Sequence, residues 1–250
     1  MSEHGAAAPG GSRRRRPPRF YFSLRSPYSW LAYRDLHERH PDVVDVLEWR
    51  PFWEPDEASA QALTAVGGQF PYATMSRAKH LYILQDVRRL TRERGLEATM
   101  PVDRDPCWEV PHLAWLAASD EGRGPEYVER VYRARWQEGR DICDPAVIGE
   151  LAAELGLPAD RLAGAAHDAQ LRERGVAALL DVCRDGVFGV PFLIHGYEKF
   201  WGTDRVAEFA ESVRKNLPDG KWKSGKAGVS QDVPDTVARS ADGGHAGGCG

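Results

Sequence analysis

The 250-residue chain has few cysteines, no long apolar run and no excess of positive charge. Its four cysteines are scattered and form no C-x-x-C pair, which excludes a disulfide-stapled scaffold and favours a reducing, cytoplasmic compartment. Its apolar runs fall far short of the roughly 20 residues that cross a bilayer, so we expect no membrane partner. The 33 Lys and Arg against 37 Asp and Glu leave a formal charge of −4, which argues against nucleic acid as a partner.

Composition separates a central part of the chain from two polar ends. Residues 1–18 are rich in Gly, Ala, Arg and Pro, and residues 217–250 contain almost no large apolar side chain. Neither stretch can bury enough surface to offset the entropy of ordering, so we expect a disordered N-terminal arm over 1–18 and a disordered C-terminal tail over 217–250. The Arg13–Arg16 run is interpreted as solvated, with a nucleic-acid or targeting role as the alternative.

Hydrophobic periodicity and turn residues predict the elements of the central part. Ser26 is predicted to cap the first helix, with Pro27 in its first turn. The predicted helix Ser76–Arg94 is expected to bury Leu81, Leu84, Val87 and Leu90. The predicted elements that matter for a site are a strand Arg19–Leu24, a helix from Tyr28, a strand Val43–Trp49, a helix Ser76–Arg94, a hairpin of Phe192–His195 and Lys199–Trp201, and a helix Asp204–Lys215.

The element order predicts the fold class. A strand, helix and strand, then a block of helices, then a helix, two strands and a helix, is the order of an α/β thioredoxin-like fold with a helical insertion. We predict a thioredoxin-like domain formed by residues 19–75 and 167–216. An inserted all-helical domain is predicted over 76–166, as a lid on the site end of the sheet.

The start of the first helix meets the loop before the third strand in such a fold. Oxidoreductases of this shape need two thiols at that helix start, and both positions are serine here, Ser26 and Ser29, which excludes thiol–disulfide exchange as the chain's own chemistry. A hydroxyl at a helix N-terminus can donate to an anion, so the position favours a bound thiolate. The alternative is that Ser26 only caps the helix.

The loop before the third strand contains Val190 and Pro191 between flanking glycines. We predict a cis peptide bond between them, which would leave the Val190 backbone exposed to pair with a peptide-like ligand. An ordinary trans proline at a strand start is the alternative.

Three segments carry a family resemblance. Phe20–Ala32 (FYFSLRSPYSWLA), Gly186–Phe192 (GVFGVPF) and Phe200–Arg205 (FWGTDR) resemble the 2-hydroxychromene-2-carboxylate isomerase and kappa-class glutathione transferase family, over about Arg19 to Val213. The resemblance implies an isomerase of an aromatic or conjugated carbonyl substrate that uses glutathione or an equivalent low-molecular-weight thiol. It also implies a homodimer.

The resemblance also implies roles for individual residues. Ser26 would be catalytic, because the family serine approaches the glutathione sulfur. The implied thiol-binding residues are Val190 for the cysteinyl backbone, Thr203 and Asp204 for the γ-glutamyl end, Lys79 for the glycine carboxylate, and Gln69 as a nearby amide. A solvated Lys79 and an Asp204 that merely caps a helix are the alternatives.

Other functions share parts of this pattern. A kappa-type glutathione transferase would use the same thiol site, whereas a thiol-independent isomerase or cyclase, or a non-catalytic binding module, would not.

The chain departs from the family at Ser23, where an acidic residue is common, and at Leu24 and Arg25. The Arg25 cation beside Ser26 would lower a thiol pKa or bind an anionic substrate group.

Aromatic and histidine residues complete the candidates. Phe52, Trp53, Trp108 and Trp136 could line an aromatic pocket, with burial in the core as the alternative. His80, His112 and His195 lack metal-ligand spacing, so no metal is expected.

Overall fold

The computed structural model describes residues 16–71 and 75–215. The predicted tail over 217–250 and the predicted arm up to residue 15 lie outside the described residues, so both stay predictions. No described helix is both long and apolar enough to cross a bilayer.

The helices of the described part follow the predicted order, with two additions, α2 and α3. Their bounds are α1 (Pro27–Arg39), α2 (Pro41–Val44), α3 (Glu57–Ala65), α4 (Arg77–Glu93), α5 (Glu109–Asp120), α6 (Gly124–Trp136), α7 (Pro145–Glu154), α8 (Ala159–Ala163), α9 (Ala169–Asp185) and α10 (Val206–Lys215). Two 3-10 turns are Ala165–His167 and Thr203–Arg205. We call α4 to α8 the helical block.

Four strands form one sheet with the order β2-β1-β3-β4. The strand β1 (Arg19–Phe22) pairs in parallel with β2 (Glu48–Pro51) and antiparallel with β3 (Phe192–His195), which pairs antiparallel with β4 (Glu198–Trp201). A parallel β-α-β unit joined to an antiparallel hairpin confirms the predicted thioredoxin-like fold.

The second strand begins later than predicted. Val43 lies in the short helix α2, which starts with Pro41 at its first position, where proline's fixed φ favours helix. Asp42 is held there by the Arg214 guanidinium of α10, with N–O distances of 2.8 and 2.9 Å. Pro51 ends β2 and pairs with Phe22.

One buried apolar cluster joins the sheet to the helical block. It contains Phe22 of β1 and Leu193 of β3 together with Trp115 of α5 and Ile148 of α7. The Phe22 and Trp115 rings meet edge to face at 5.3 Å between centroids. The helical block therefore shares its core with the strands, and the domain boundaries at 75/76 and 166/167 remain a proposal.

The buried face of α4 agrees with the prediction at Val87, which is fully buried, but not at Leu81. Leu81 is 48% exposed, whereas Ile83 and Val87 are buried against Tyr28 of α1. The Tyr28 hydroxyl donates to Asp86 of α4 at 2.7 Å, which fixes the rotation of the helix. The prediction that Leu81 points inward is wrong because this polar contact and the Tyr28 ring select a neighbouring stripe.

The fully buried side chain of Glu109, in the helical block, bonds to the chain segment that follows β2 of the sheet. Its carboxylate accepts hydrogen bonds from the Trp53 indole N–H at 3.3 Å and from the Asp56 backbone N–H at 2.7 Å. Both donors lie in the connection after β2, so Glu109 ties this connection to the start of α5. A buried group of this kind stabilises only while its partners are present.

Glu109→Ala should therefore lower the free energy of unfolding by about 3 kcal/mol, because two buried donors lose their acceptor. Denaturant unfolding measures this change. Glu126→Ala, which removes an exposed carboxylate paired with Arg123, is the matched control and should change it by less than about 0.5 kcal/mol. Equal effects of the two substitutions would contradict the assignment.

Candidate functional site

The helix α1 begins as the sequence predicts. Ser26 has extended backbone angles (φ −85°, ψ 122°), its Oγ accepts from the Ser29 N–H at 3.2 Å, and Pro27 occupies the first helical position. The prediction of a Ser26 cap is confirmed. No described hydrogen bond uses the Ser26 hydroxyl as a donor, so its proton can be donated to another group.

Access to the Ser26 hydroxyl is narrow. Ser26 is only 1% exposed, and Ser29 is fully buried. A ligand atom that contacts the Ser26 oxygen must therefore approach through a restricted opening or displace a covering group.

The loop before β3 contains the predicted cis bond, but Val190, whose backbone is predicted to be exposed, is fully buried. The Val190–Pro191 peptide bond is cis, which confirms that prediction. The Pro191 carbonyl accepts from the Gly202 N–H at 3.1 Å, so the loop is tied to the end of β4. Phe188, on the same loop, is 55% exposed and packs edge-on against Trp201 at 4.9 Å between centroids.

Thr203 and Asp204 lie in the 3-10 turn that follows Gly202, and this turn packs against α1. The Asp204 carboxylate is exposed and lies 3.6 Å from the Arg205 guanidinium. The predicted helix from Asp204 is thus a 3-10 turn followed by α10 at Val206.

Lys79 lies in the first turn of α4, which also packs against α1. Its backbone N–H donates to the Ser76 cap at 3.2 Å. Within 16–71 and 75–215, Lys79 takes part in no ion pair, so its ammonium group is available to an anion.

Gln69 is placed differently from the other candidates. It is exposed, and its backbone carbonyl lies 3.1 Å from the thiol of Cys183 in α9. The turn with Thr203 and the helix with Lys79 pack against α1, whereas the described contact of Gln69 is with α9. Its role at a thiol site stays a prediction.

Arg25 is held by its neighbours. Its guanidinium lies 2.9 Å from Glu54 and stacks over Trp108, 5.3 Å from the ring centroid. Arg135 lies between Trp108 and Trp136, at 5.1 and 4.8 Å, and binds Asp103 through two contacts of 2.9 Å. Arg25 is thus a partly compensated cation rather than a free one.

The four candidate pocket aromatics are buried. Each side chain is at most 4% exposed, which favours their core role over contact with a ligand from solvent. The set is Phe52, Trp53, Trp108 and Trp136.

Two buried side chains contact the loop before Ser26 and were not predicted as site residues. His112 of α5 accepts the Leu24 N–H at its Nε2 atom at 3.0 Å and donates from Nδ1 to the Trp108 carbonyl at 2.7 Å. The Tyr132 hydroxyl of α6 donates to the Ser23 carbonyl at 3.0 Å. Burial lowers the pKa of His112 to about 3 and raises that of Tyr132 well above its usual value, so both are neutral at pH 7.

None of the three described cysteines occupies position 26 or 29 at the start of α1. Burial raises the pKa of Cys107 and of Cys143 above the usual value, which disfavours their thiolates. These thiols do not replace the pair that an oxidoreductase would need at positions 26 and 29.

One group of potential metal ligands occurs in the described part of the chain. Ligand atoms of Asp56, Cys107 and Glu109 lie within 4.8 Å of one another. The Asp56 carboxylate already binds the Arg172 guanidinium at 2.6 Å and caps α3 at the Ser59 N–H at 2.8 Å. The arginine cation beside these atoms disfavours a metal ion there.

The antiparallel register pairs Tyr21 of β1 with Phe192 of β3, so the cis-proline loop and the segment that leads to α1 lie at the same end of the sheet. On a four-stranded sheet, this arrangement defines a thioredoxin-fold protein with hydroxyls at the two thiol positions. The model of the DSBA-like thioredoxin domain family matches residues 19–214, and the chain belongs to this family. Among curated proteins, the 2-hydroxychromene-2-carboxylate isomerase of Sphingobium xenophagum is 28% identical over 193 residues, which cover 77% of this chain and 95% of that protein.

Two solved structures show the same fold. A 2-hydroxychromene-2-carboxylate isomerase superposes with a TM-score of 0.63 at 23% identity, covering 79% of this chain and 94% of that one. The cytosolic disulfide reductase DsbM from Pseudomonas aeruginosa, solved with GSH, gives a TM-score of 0.52 at 18% identity, covering 79% of this chain and 97% of that one.

The buried neutral His112 predicts a pH dependence of stability. Its pKa of about 3 in the folded protein lies below the 6.5 of an exposed histidine, so between these values the unfolded chain binds a proton that the folded protein excludes. The stabilisation that comes from burying neutral His112 is fully present above pH 6.5 and is lost as the pH falls from 6.5 towards 3. The free energy of unfolding should decrease by about 1.4 kcal/mol per pH unit from this group alone.

Unfolding of the wild type and His112→Gln between pH 6.5 and 4.5 tests this prediction. Glutamine keeps a hydrogen-bond acceptor but does not titrate, so its pH slope should be shallower by about 1.4 kcal/mol per unit. Identical slopes would show that His112 is protonated in the folded protein.

Proposed function

We propose that the protein is an isomerase of an aromatic or conjugated carbonyl substrate, of the 2-hydroxychromene-2-carboxylate isomerase type, that uses glutathione or an equivalent low-molecular-weight thiol. One observation carries the proposal: at the thiol positions of a DSBA-like thioredoxin fold, this chain has Ser26 and Ser29. A site that lacks its own sulfur but retains the helix start and the cis-proline loop suits a sulfur supplied by a ligand. The isomerase name of the curated relative supports the reaction class.

The charges around α1 fit glutathione. Lys79 supplies a cation without an ion-pair partner among the described residues, as a glycine carboxylate would need. Asp204 supplies an exposed carboxylate for an ammonium group, and Thr203 supplies a hydroxyl beside it. The Ser26 oxygen already accepts one hydrogen bond, which leaves its proton for an anion. The GSH in the related DsbM structure supports this ligand class.

The chain's own residues would bind the thiol and stabilise its charge. Ser26 would donate a hydrogen bond to the sulfur, and the positive end of α1 would favour the thiolate. The Val190 backbone would pair with the cysteinyl part of the ligand, as backbone groups beside an extended peptide do. Gln69 is kept as a further candidate near the glycine end.

When bound, a thiolate supplies reversible addition to an unsaturated carbon, so that rotation becomes possible about the former double bond before the sulfur leaves. The protein's contribution is to hold the sulfur as an anion, orient the substrate and exclude water. The 1% exposure of Ser26 is consistent with a position from which water is excluded.

We also propose a cytoplasmic homodimer. The free state of Cys107, Cys143 and Cys183 supports a reducing compartment.

Leu81 and Tyr82 of α4 are 48% and 47% exposed and are candidates for a contact between copies. Sedimentation of the wild type and of Leu81→Lys tests the dimer, which the substitution should weaken. A monomeric wild-type protein would contradict it.

Ser26→Ala should reduce kcat for isomerisation of 2-hydroxychromene-2-carboxylate with glutathione by roughly 10²–10³, the range for loss of one charge-stabilising donor. The Kd for glutathione should rise much less. Steady-state kinetics and calorimetry measure the two quantities. Product analysis separates the reaction classes, because an isomerase regenerates the thiol and a transferase consumes it.

Ser26→Thr is the matched control, since threonine keeps both a hydroxyl and a capping oxygen. It should retain most of the activity that alanine loses. If Ser26 only capped α1, alanine would lower the free energy of unfolding by about 1 kcal/mol and leave kcat unchanged, which would refute the catalytic role.

Lys79→Met should raise the Kd for glutathione about tenfold, because a charge-assisted contact with the glycine carboxylate is lost. It should not change the Kd for glutathione monoethyl ester, in which that carboxylate is blocked. Arg88→Met removes an exposed cation of the same helix and serves as the control. An equal loss of affinity for both ligands would contradict the assignment.

A further inference from the structure

The turn before Ser26 is held by contacts from three helices. The Ser26 N–H donates to the Ser23 carbonyl at 3.2 Å, which closes a turn over residues 23–26. The Ser23 N–H donates to the Ser29 Oγ at 3.2 Å, and the Arg25 N–H donates to the Ser23 Oγ at 3.3 Å. These bonds come from the turn itself and from α1.

The remaining contacts come from the helical block. The Leu24 N–H donates to the Nε2 atom of His112 at 3.0 Å. The Ser23 carbonyl, which already accepts from Ser26, accepts a second hydrogen bond from the Tyr132 hydroxyl at 3.0 Å. All four backbone N–H groups of residues 23–26 therefore have partners, and the two long-range contacts are made by side chains of α5 and α6.

His112 is itself fixed in one orientation. Its Nδ1 atom donates to the Trp108 carbonyl at 2.7 Å, which leaves Nε2 as the acceptor that Leu24 needs. The Trp53 ring stacks on the imidazole at 5.2 Å between centroids and 17° between planes. The Trp53 N–H is in turn bound by Glu109. The position of Leu24 is thus set by a chain of buried contacts.

We propose that His112 and Tyr132 are positioning residues, which hold the backbone of Ser23 and Leu24 so that the Ser26 hydroxyl points towards the bound sulfur. The inference rests on the proposed thiol site, because it assigns the orientation of that hydroxyl to the helical block. The block would then complete the site from outside the thioredoxin-like unit, and neither side chain would touch the ligand.

The two tyrosines of α6 provide a matched pair for a test. Tyr132 and Tyr127 are both at most 1% exposed, and each hydroxyl donates to a backbone carbonyl at 3.0 Å. The acceptor is Ser23 in the site turn for Tyr132 and Pro111 in α5 for Tyr127. Phenylalanine at either position removes a buried hydrogen bond to a backbone carbonyl, and only the bond of Tyr132 lies in the turn. At Tyr132 the substitution also removes a contact with the Ser29 hydroxyl at the start of α1.

Amide hydrogen exchange of the full chain gives the first readout. Tyr132→Phe should speed exchange at residues 23–26 about fivefold relative to Tyr127→Phe, the factor for one net hydrogen bond. His112→Leu should do the same, and His112→Gln, which keeps an acceptor for Leu24, should restore slow exchange. Equal exchange rates in the two phenylalanine variants would overturn the positioning role.

The pKa of bound glutathione, followed by the ultraviolet absorbance of its thiolate, gives the second readout. Tyr132→Phe should raise this pKa towards that of free glutathione, whereas Tyr127→Phe should leave it at the wild-type value. An unchanged pKa in Tyr132→Phe would overturn the link between the turn and the sulfur. Absence of glutathione binding to the wild type would refute the proposed function and this link with it, whereas the exchange rates would still decide whether the two side chains hold the turn.

Discussion

The proposed thiol site depends on one hydrogen bond, from the Ser29 N–H to the Ser26 oxygen at 3.2 Å. This bond starts α1 and fixes the side chain of Ser26. Because it uses the oxygen as an acceptor, the hydroxyl proton is left for donation to something outside the helix. Pro27 has no N–H, so the first helical position adds no competing donor. A common helix-capping interaction thus orients the Ser26 hydroxyl, which can donate its proton to a bound anion.

The rest of the fold supports that bond from two sides. The cis-proline loop is tied to β4 through Gly202, and the 3-10 turn with Thr203 and Asp204 follows directly and packs on α1. On the other side, the sheet and the helical block share one core. A thiol bound at the proposed site would therefore contact segments that are far apart in sequence.

Local signals in the sequence were sufficient for much of this arrangement. The Ser26 cap, Pro27 at the helix start, the cis Val190–Pro191 bond and the final hairpin each depend on residues within a few positions. The shift of β2 and the exposure of Leu81 on α4 arise from tertiary contacts instead, Asp42 with Arg214 and Tyr28 with Asp86. These partners are 172 and 58 positions apart, so periodicity carried no information about them. The contacts of His112 and Tyr132 with the turn, 88 and 109 positions away, were beyond prediction for the same reason.

The ionisation state of the bound sulfur decides whether Ser26 and the start of α1 stabilise a thiolate. Calorimetric titration of the wild-type protein with glutathione at pH 7, repeated in buffers of different ionisation enthalpy, measures how many protons are released on binding. If Ser26 and the start of α1 hold a thiolate, close to one proton should be released for each glutathione bound. Binding without proton release, or no binding of glutathione or another cellular thiol, would contradict the account.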